Sequence, residues 1–147
     1  MGMTQVYRLV EEIWIDAPPE RVFRALTDPE QLIAWWGVSE AYRTTEATVD
    51  LRVGGRYRLT GPSGERGTFA VEGVYRAVEP PTRLVFTWDP GWDDDARGSE
   101  VEFALEAREG GTRLVLTHTG FATEESRDAH RGWSAVLSSL KAHCERG

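Results

Sequence analysis

Apolar and polar positions recur at two different spacings along this chain, and the changes of spacing divide it into three stretches. Residues 6–16 (VYRLVEEIWID) mix apolar and charged side chains in the manner of a half-buried strand. Pro18 and Pro19 end that strand and suit the first turn of a helix, where a missing N–H costs nothing. Val22, Phe23 and Leu26 then follow at helical spacing. Asp28 reads as the N-cap of a second, short helix, with Pro29 at its first position and Gln31 placed for a capping box. This helix carries Leu32, Ile33, Trp35 and Trp36, and Gly37 is its predicted stop.

From residue 43 to residue 120 the period becomes two, punctuated by turns. Val49, Leu51 and Val53 alternate, and Gly54-Gly55 reads as a tight hairpin connection. Tyr57 and Leu59 alternate with Arg56 and Arg58, and the next turn is assigned to residues 61–64 (GPSG). A longer strand covers 67–78, where Gly73 suggests a bulge or bend. Pro80-Pro81 ends it. Leu84, Phe86 and Trp88 then share one face, as do Val101, Phe103 and Leu105 in the next run. Gly110-Gly111 turns the chain before Leu114, Leu116 and His118 line up. Alternation of this kind describes an antiparallel sheet with one wet and one covered face.

The cover comes from the last stretch. Thr123 can cap a helix with Glu124 and Glu125 in its first turn. Ala129, Trp133, Val136, Leu137, Leu140 and Cys144 follow at steps of three and four. One continuous helix through these positions is ~35 Å long at 1.5 Å per residue and crosses several strands. The fold class is therefore α+β: a curved antiparallel sheet of about six to seven strands wrapped around a long C-terminal helix, with two short helices after the first strand. With 147 residues and no linker or repeat, the chain reads as one domain over 1–147.

Charge and cysteine content remove several functions. The net charge is −7 with no basic block, which disfavours nucleic acid and anionic membrane surfaces as partners. No apolar run reaches the ~20 residues of a membrane span, and the first ten residues lack a secretory pattern, so a cytoplasmic location is expected. The single cysteine, Cys144, excludes an internal disulfide and a thiolate-built zinc site. His118, His130 and His143 show no metal-ligand spacing. No metal and no cofactor is expected.

Particular strings carry a resemblance. IDAPPERVF at 15–23, Trp35-Trp36, GGRY at 54–57, GTF at 67–69, PPTRLVFTW at 80–88, HTGF at 118–121 and Trp133 resemble, in order and spacing, the activator of heat-shock-protein-90 ATPase homologue-like family. That family belongs to the START-like (SRPBCC, helix-grip) superfamily. The resemblance implies a sheet gripping a helix with a cavity between them. The eukaryotic co-chaperones of that name carry a separate N-terminal domain for which this chain has no room. The wider superfamily spans lipid carriers, hormone receptors and polyketide cyclases, so fold alone names no activity.

The expected function is binding of a small, largely apolar molecule between the C-terminal helix and the sheet. The candidate cavity residues are Trp35, Trp36, Tyr57, Phe69, Trp88, Phe103, Leu116, His118, Trp133 and Leu137. The plainer reading of Trp88 and Trp133 is core, and that of His118 is a buried imidazole satisfied by a neighbour. Because Trp35 and Trp36 are adjacent on a short helix, one of them is expected at a cavity rim or a partner. Trp92, within the acidic loop 89–98, is placed over the cavity mouth. Two other readings stay open. One is a stress-related, co-chaperone-like interaction module or homodimer using Trp35, Trp36 and Trp92 as exposed anchors. The other is a cyclase- or hydratase-like enzyme, for which no catalytic residue is assigned.

Overall fold

The sheet forms because one side of nearly every strand is apolar and the other charged. The computed structural model describes residues 7–38 and 41–146; Val6, the predicted start of the first strand, lies outside the described residues. Seven antiparallel strands hydrogen-bond in the order β1-β9-β8-β7-β6-β5-β4. They are β1 (Tyr7–Ile15), β4 (Glu46–Val49), β5 (Arg56–Pro62), β6 (Thr68–Glu79), β7 (Arg83–Pro90), β8 (Ser99–Arg108) and β9 (Gly111–Phe121). A two-stranded ribbon, β2 (Gly37–Val38) with β3 (Tyr42–Arg43), stands apart. Registers such as Phe103↔Leu116 and Leu84↔Phe103 align the buried positions across strands, so one continuous apolar face results.

Two short helices, α1 (Pro19–Thr27) and α2 (Pro29–Trp35), follow β1. Asp28 caps α2 through its Oδ1, which accepts from Glu30 N at 3.0 Å. The reciprocal half of the predicted capping box is absent: Gln31 Nε2 donates to the Asp28 carboxylate instead, and Gln31 Oε1 lies 3.2 Å from His143 Nε2. The Asp28 N–H donates to Arg24 O at 2.9 Å. The side chain of Gln31 is drawn toward the last helix.

That last segment departs from expectation. In place of one helix there are α3 (Glu124–Ala129) and α4 (Trp133–Glu145), separated by a turn at residues 130–132. Thr123 does cap α3, its hydroxyl accepting from Ser126 N. Gly132 breaks the segment, as the residue least suited to helix interiors after proline. The break also changes which side faces inward: Ser126 and His130 are buried and Ala129 is exposed. α4 lies across the sheet, with Trp133, Val136, Leu137, Leu140 and Cys144 buried. Its C-terminal end is held from α1, where the Arg21 guanidinium donates to the carbonyls of His143 and Cys144 at 3.2 and 3.3 Å.

Turns correct the reading in three further places. The predicted strand through Val53 stops at Val49, and residues 50–55 form a wider loop in which Leu51 and Val53 are exposed. The reason is visible in the hydrogen bonds: Gly54 N donates to Tyr75 O and Tyr75 N to Gly55 O, so the glycines join β6 rather than closing a two-residue hairpin. The second turn of this hairpin falls at residues 63–67, not 61–64. At the β8–β9 turn Glu109 (φ 52°) and Gly110 (φ 83°) occupy the central positions, one residue earlier than expected.

Gly73 marks a close approach of backbones. A Cβ there would stand 2.0 Å from Thr87 O. Thr87 O also accepts from Tyr57 Oη at 2.6 Å, and Tyr57 is the register partner of Gly73. Nearby the β6–β7 register slips between Tyr75 and Ala77. Gly73→Ala must therefore part β6 from β7, and a loss of about 1–3 kcal/mol is expected. Thermal melting checks this: an unchanged midpoint would mean the strands yield without cost.

Candidate functional site

Aromatic residues from five elements meet at the end of the sheet nearest the α3–α4 break. Trp36 follows α2, Phe69 lies near the start of β6, Trp88 near the end of β7, Trp92 sits in the β7–β8 loop and Trp133 opens α4. Trp36 stacks on Trp88 (centroids 6.2 Å, 25°) and meets Trp133 edge-on at 5.7 Å; Trp88 and Trp133 are 5.0 Å apart. Trp35 and Trp36 are both buried, and of the two only Trp36 lines the cleft described below. The helix ends at Trp35, and Trp36 as its C-cap takes an extended ψ of 100°, so the two side chains leave the backbone in different directions. Trp35 Nε1 donates to Ala25 O at 2.8 Å, satisfying its polar atom against α1.

Two imidazoles lie beside the tryptophans. His118 is fully buried on β9, and His130 is buried in the α3–α4 turn, with ring centroids 5.4 Å apart. The sequence reading missed this pairing, because hydrophobic spacing alone favoured Ala129 over His130 as the inward position. The repeat Ser126–His130–Trp133 carries the same spacing and was the available signal.

Hydrogen-bond roles fix both tautomers. Trp133 Nε1 can only donate, so His118 Nδ1 accepts (3.1 Å); His118 Nε2 then carries the proton and donates to Ser99 Oγ (2.8 Å), which passes its own hydroxyl proton to Ala96 O. For His130 the order reverses: Nδ1–H donates to Ser126 O (2.9 Å) and Nε2 accepts from Trp88 Nε1 (3.2 Å). Each ring has its lone pair occupied by an indole N–H. Burial, reinforced by the nearby His130, pushes the His118 pKa down to about 3. Asp93 Oδ2 accepts from Ser126 Oγ at 2.7 Å and stands 3.8 Å from His130 Nδ1.

Two spaces adjoin this cluster. Beneath α1 and α2 a void of about 20 Å³ is lined by Trp36, Tyr57, Tyr75, Phe86, Phe103 and neighbouring leucines, room for about one water. Beside it an open cleft of about 720 Å³ runs between β6, the Trp92 loop and the first turn of α4. Of the sequence candidates, Trp36, Phe69, Trp88 and Trp133 line the cleft, and Tyr57 and Phe103 line the small void. Trp35, Leu116, His118 and Leu137 line neither. On the helix side the large space is lined by Trp133, Ala135 and Val136 of α4.

Trp92 is one of the residues that line the cleft. It is 52% exposed, meets Phe69 and Trp88 edge-on at 6.3 and 6.2 Å, and stacks on His130 at 6.4 Å and 23°. Its loop is anchored by hydrogen bonds from Gly98 N to Asp89 Oδ1, from Asp95 N to Asp93 Oδ1 and from Ala122 N to Asp95 O. The three consecutive aspartates are spent on such bonds and on the surface, and no metal-binding cluster occurs among the described residues. Tyr42, Ser63 and Thr68 supply hydroxyls to the cleft. Burial raises the Tyr42 pKa to about 12, opposed in part by a hydrogen bond with Trp36. Among the described residues no helix is long and apolar enough to cross a membrane.

Comparison with known proteins agrees with this architecture. The sequence profile of the family described as Activator of Hsp90 ATPase homolog 1-like protein matches residues 16–145. An AHSA1-like protein from Aeromonas hydrophila, solved by solution NMR, is 30% identical with a TM-score of 0.80, over 95% of this chain and 93% of that one. A Chromobacterium violaceum protein is 27% identical with a TM-score of 0.81, over 94% and 97% of the two chains. A Rhodobacter sphaeroides protein is 27% identical with a TM-score of 0.77, over 95% and 93%. No curated protein matches.

Proposed function

For a chain that belongs to the Activator of Hsp90 ATPase homolog 1-like protein family, within the START-like superfamily, we propose binding of a small, largely apolar molecule in the cleft beside the α3–α4 break. The family fold is one used for ligand binding. The observation that carries the reading is the cleft of about 720 Å³ walled by Trp36, Phe69, Trp88, Trp92 and Trp133. That volume lies within the ~300–1,000 Å³ of small-molecule sites, and its lining is mostly apolar with a few hydroxyls, as such sites are. Affinity comes from apolar burial, and orientation from Tyr42, Ser63 and Thr68.

Binding has more support than catalysis. A general base needs a free lone pair, and both imidazoles give theirs to tryptophan N–H groups. An interaction surface built on Trp35, Trp36 and Trp92 loses two of its three anchors, because Trp35 and Trp36 are buried.

The uncharged dye Nile red tests the reading. Its emission is expected to rise and shift to the blue on titration with native protein. Ala135→Trp, an exposed position on the cleft wall, should weaken that binding by ~10-fold or more without lowering the melting temperature. Dye binding that ignores the substitution places the ligand elsewhere and defeats the proposal.

A further inference from the structure

Resting on the binding reading above, we infer that the cleft selects an uncharged, flat aromatic molecule bearing a hydroxyl or carbonyl at one end. Charge comes first. Among the described lining residues there is no Asp, Glu, Lys or Arg. Both ring nitrogens of His130 are already engaged, Nε2 by the Trp88 N–H and Nδ1 by the Ser126 carbonyl. An ionised ligand group would leave water for a largely apolar cleft in which no described lining residue offers a charge of opposite sign, a transfer that strongly disfavours ions. The overall charge of −7 adds repulsion against acids.

A cation is excluded by ring geometry. Aromatic cages hold cations by turning several open faces toward one point. Here Trp36, Trp88 and Trp133 turn toward one another, and each is buried. Their faces are occupied by neighbouring rings. Trp92 alone among the lining tryptophans is exposed, one side of it against His130.

The same geometry favours a planar ring. Trp92 stands at 85° to Trp88 and 67° to Phe69, forming a corner. A flat ligand ring lying on the open side of Trp92 presents its edge toward Trp88 and Phe69, so stacked and edge-on contacts form together. A flexible aliphatic chain gains neither. Elsewhere in the lining Ser63 and Thr68 carry hydroxyls with no side-chain hydrogen bond among the described residues, and Tyr42 keeps its proton because of its burial. These groups suit a hydroxyl or carbonyl oxygen.

Displacement of Nile red by four probes tests the selection: 2-naphthol, 2-naphthoate, 2-naphthyltrimethylammonium and 1-decanol. 2-Naphthol should displace the dye at concentrations ~10-fold or more below those of both charged naphthalenes, and below that of decanol. Trp92→Ala, at an exposed loop position, should weaken 2-naphthol by about 3–10-fold and decanol by less. If the dye binds but charged and neutral naphthalenes compete equally, or decanol matches 2-naphthol, the selection is wrong while the binding reading stands. If the dye does not bind the native protein, both fail together. Equal losses for 2-naphthol and decanol in Trp92→Ala also overturn the stacking role.

Discussion

Trp133→Ala is expected to lower the unfolding free energy by about 3–5 kcal/mol, the cost of a large buried ring replaced by a cavity. Trp133 is 4% exposed and touches rings from four other elements: Trp36, Trp88, Phe103 and His118. Its N–H also satisfies His118 Nδ1. Trp133→Phe separates the two contributions. It keeps most of the apolar volume and leaves the imidazole lone pair buried without a donor, a loss of about 1–3 kcal/mol. Urea denaturation of both variants checks the order. A Phe variant as damaging as the Ala variant shows that the hydrogen bond, not the packing, holds the α4 start to the sheet.

Acid should destabilise the protein well above the range in which carboxylates titrate. In the folded chain His118 is kept neutral, with a pKa of about 3 against an ordinary 6.5. Unfolded molecules therefore take up the proton first. The stability associated with the neutral ring is complete above pH 6.5 and is lost progressively as pH falls toward 3, with a slope approaching ~1.4 kcal/mol per pH unit. His143, whose pKa is lowered by burial and by Arg21 and Arg146, acts in the same sense. The carboxylates of Glu145 and Asp128 have depressed values too, and their contributions fade only below the ordinary 4.5 and 3.8. The interval between pH 6.5 and 4.5 thus isolates the imidazoles. His118→Gln retains a donor and an acceptor; in urea titrations at pH 7.5, 6 and 5 it should be less stable at the highest pH and show a shallower decline. A slope equal to that of the native chain would remove His118 as the titrating group.

The strands were legible because their period of two ties each side chain to a face. Leu84, Phe86 and Trp88, then Val101, Phe103 and Leu105, are buried as their alternation requires. Helix capping was equally plain at Asp28 and Thr123, where a short polar side chain precedes a helical run. What spacing could not show was where a helix stops. The apolar positions from Trp133 to Cys144 extrapolate smoothly backward to Ala129, yet Gly132 loosens the backbone and His130 turns inward. A small apolar residue outranked a polar one in that extrapolation. His130 is buried because Trp88 and Ser126 meet all its hydrogen-bonding needs, a tertiary fact invisible along the chain. The same limit applies to Trp36, whose direction depends on leaving the helix one residue after Trp35. Leu116, a candidate from the middle of a strand, is fully buried and lines neither space, whereas much of the cleft lining comes from the ends of elements and the loop carrying Trp92.

The end of β1 shows how α4 treats the margin of the sheet. Lys141 Nζ donates to Trp14 O at 2.9 Å, and Glu145 Oε2 accepts from Asp16 N at 2.8 Å, while the same two side chains pair with each other. An outer strand with idle backbone groups is a template on which a foreign strand can lengthen the sheet, the first step toward amyloid-like stacking. Here one helix covers that template with a lysine and a glutamate. A chain of another molecule approaching this corner has to dislodge both before it finds a free carbonyl or amide.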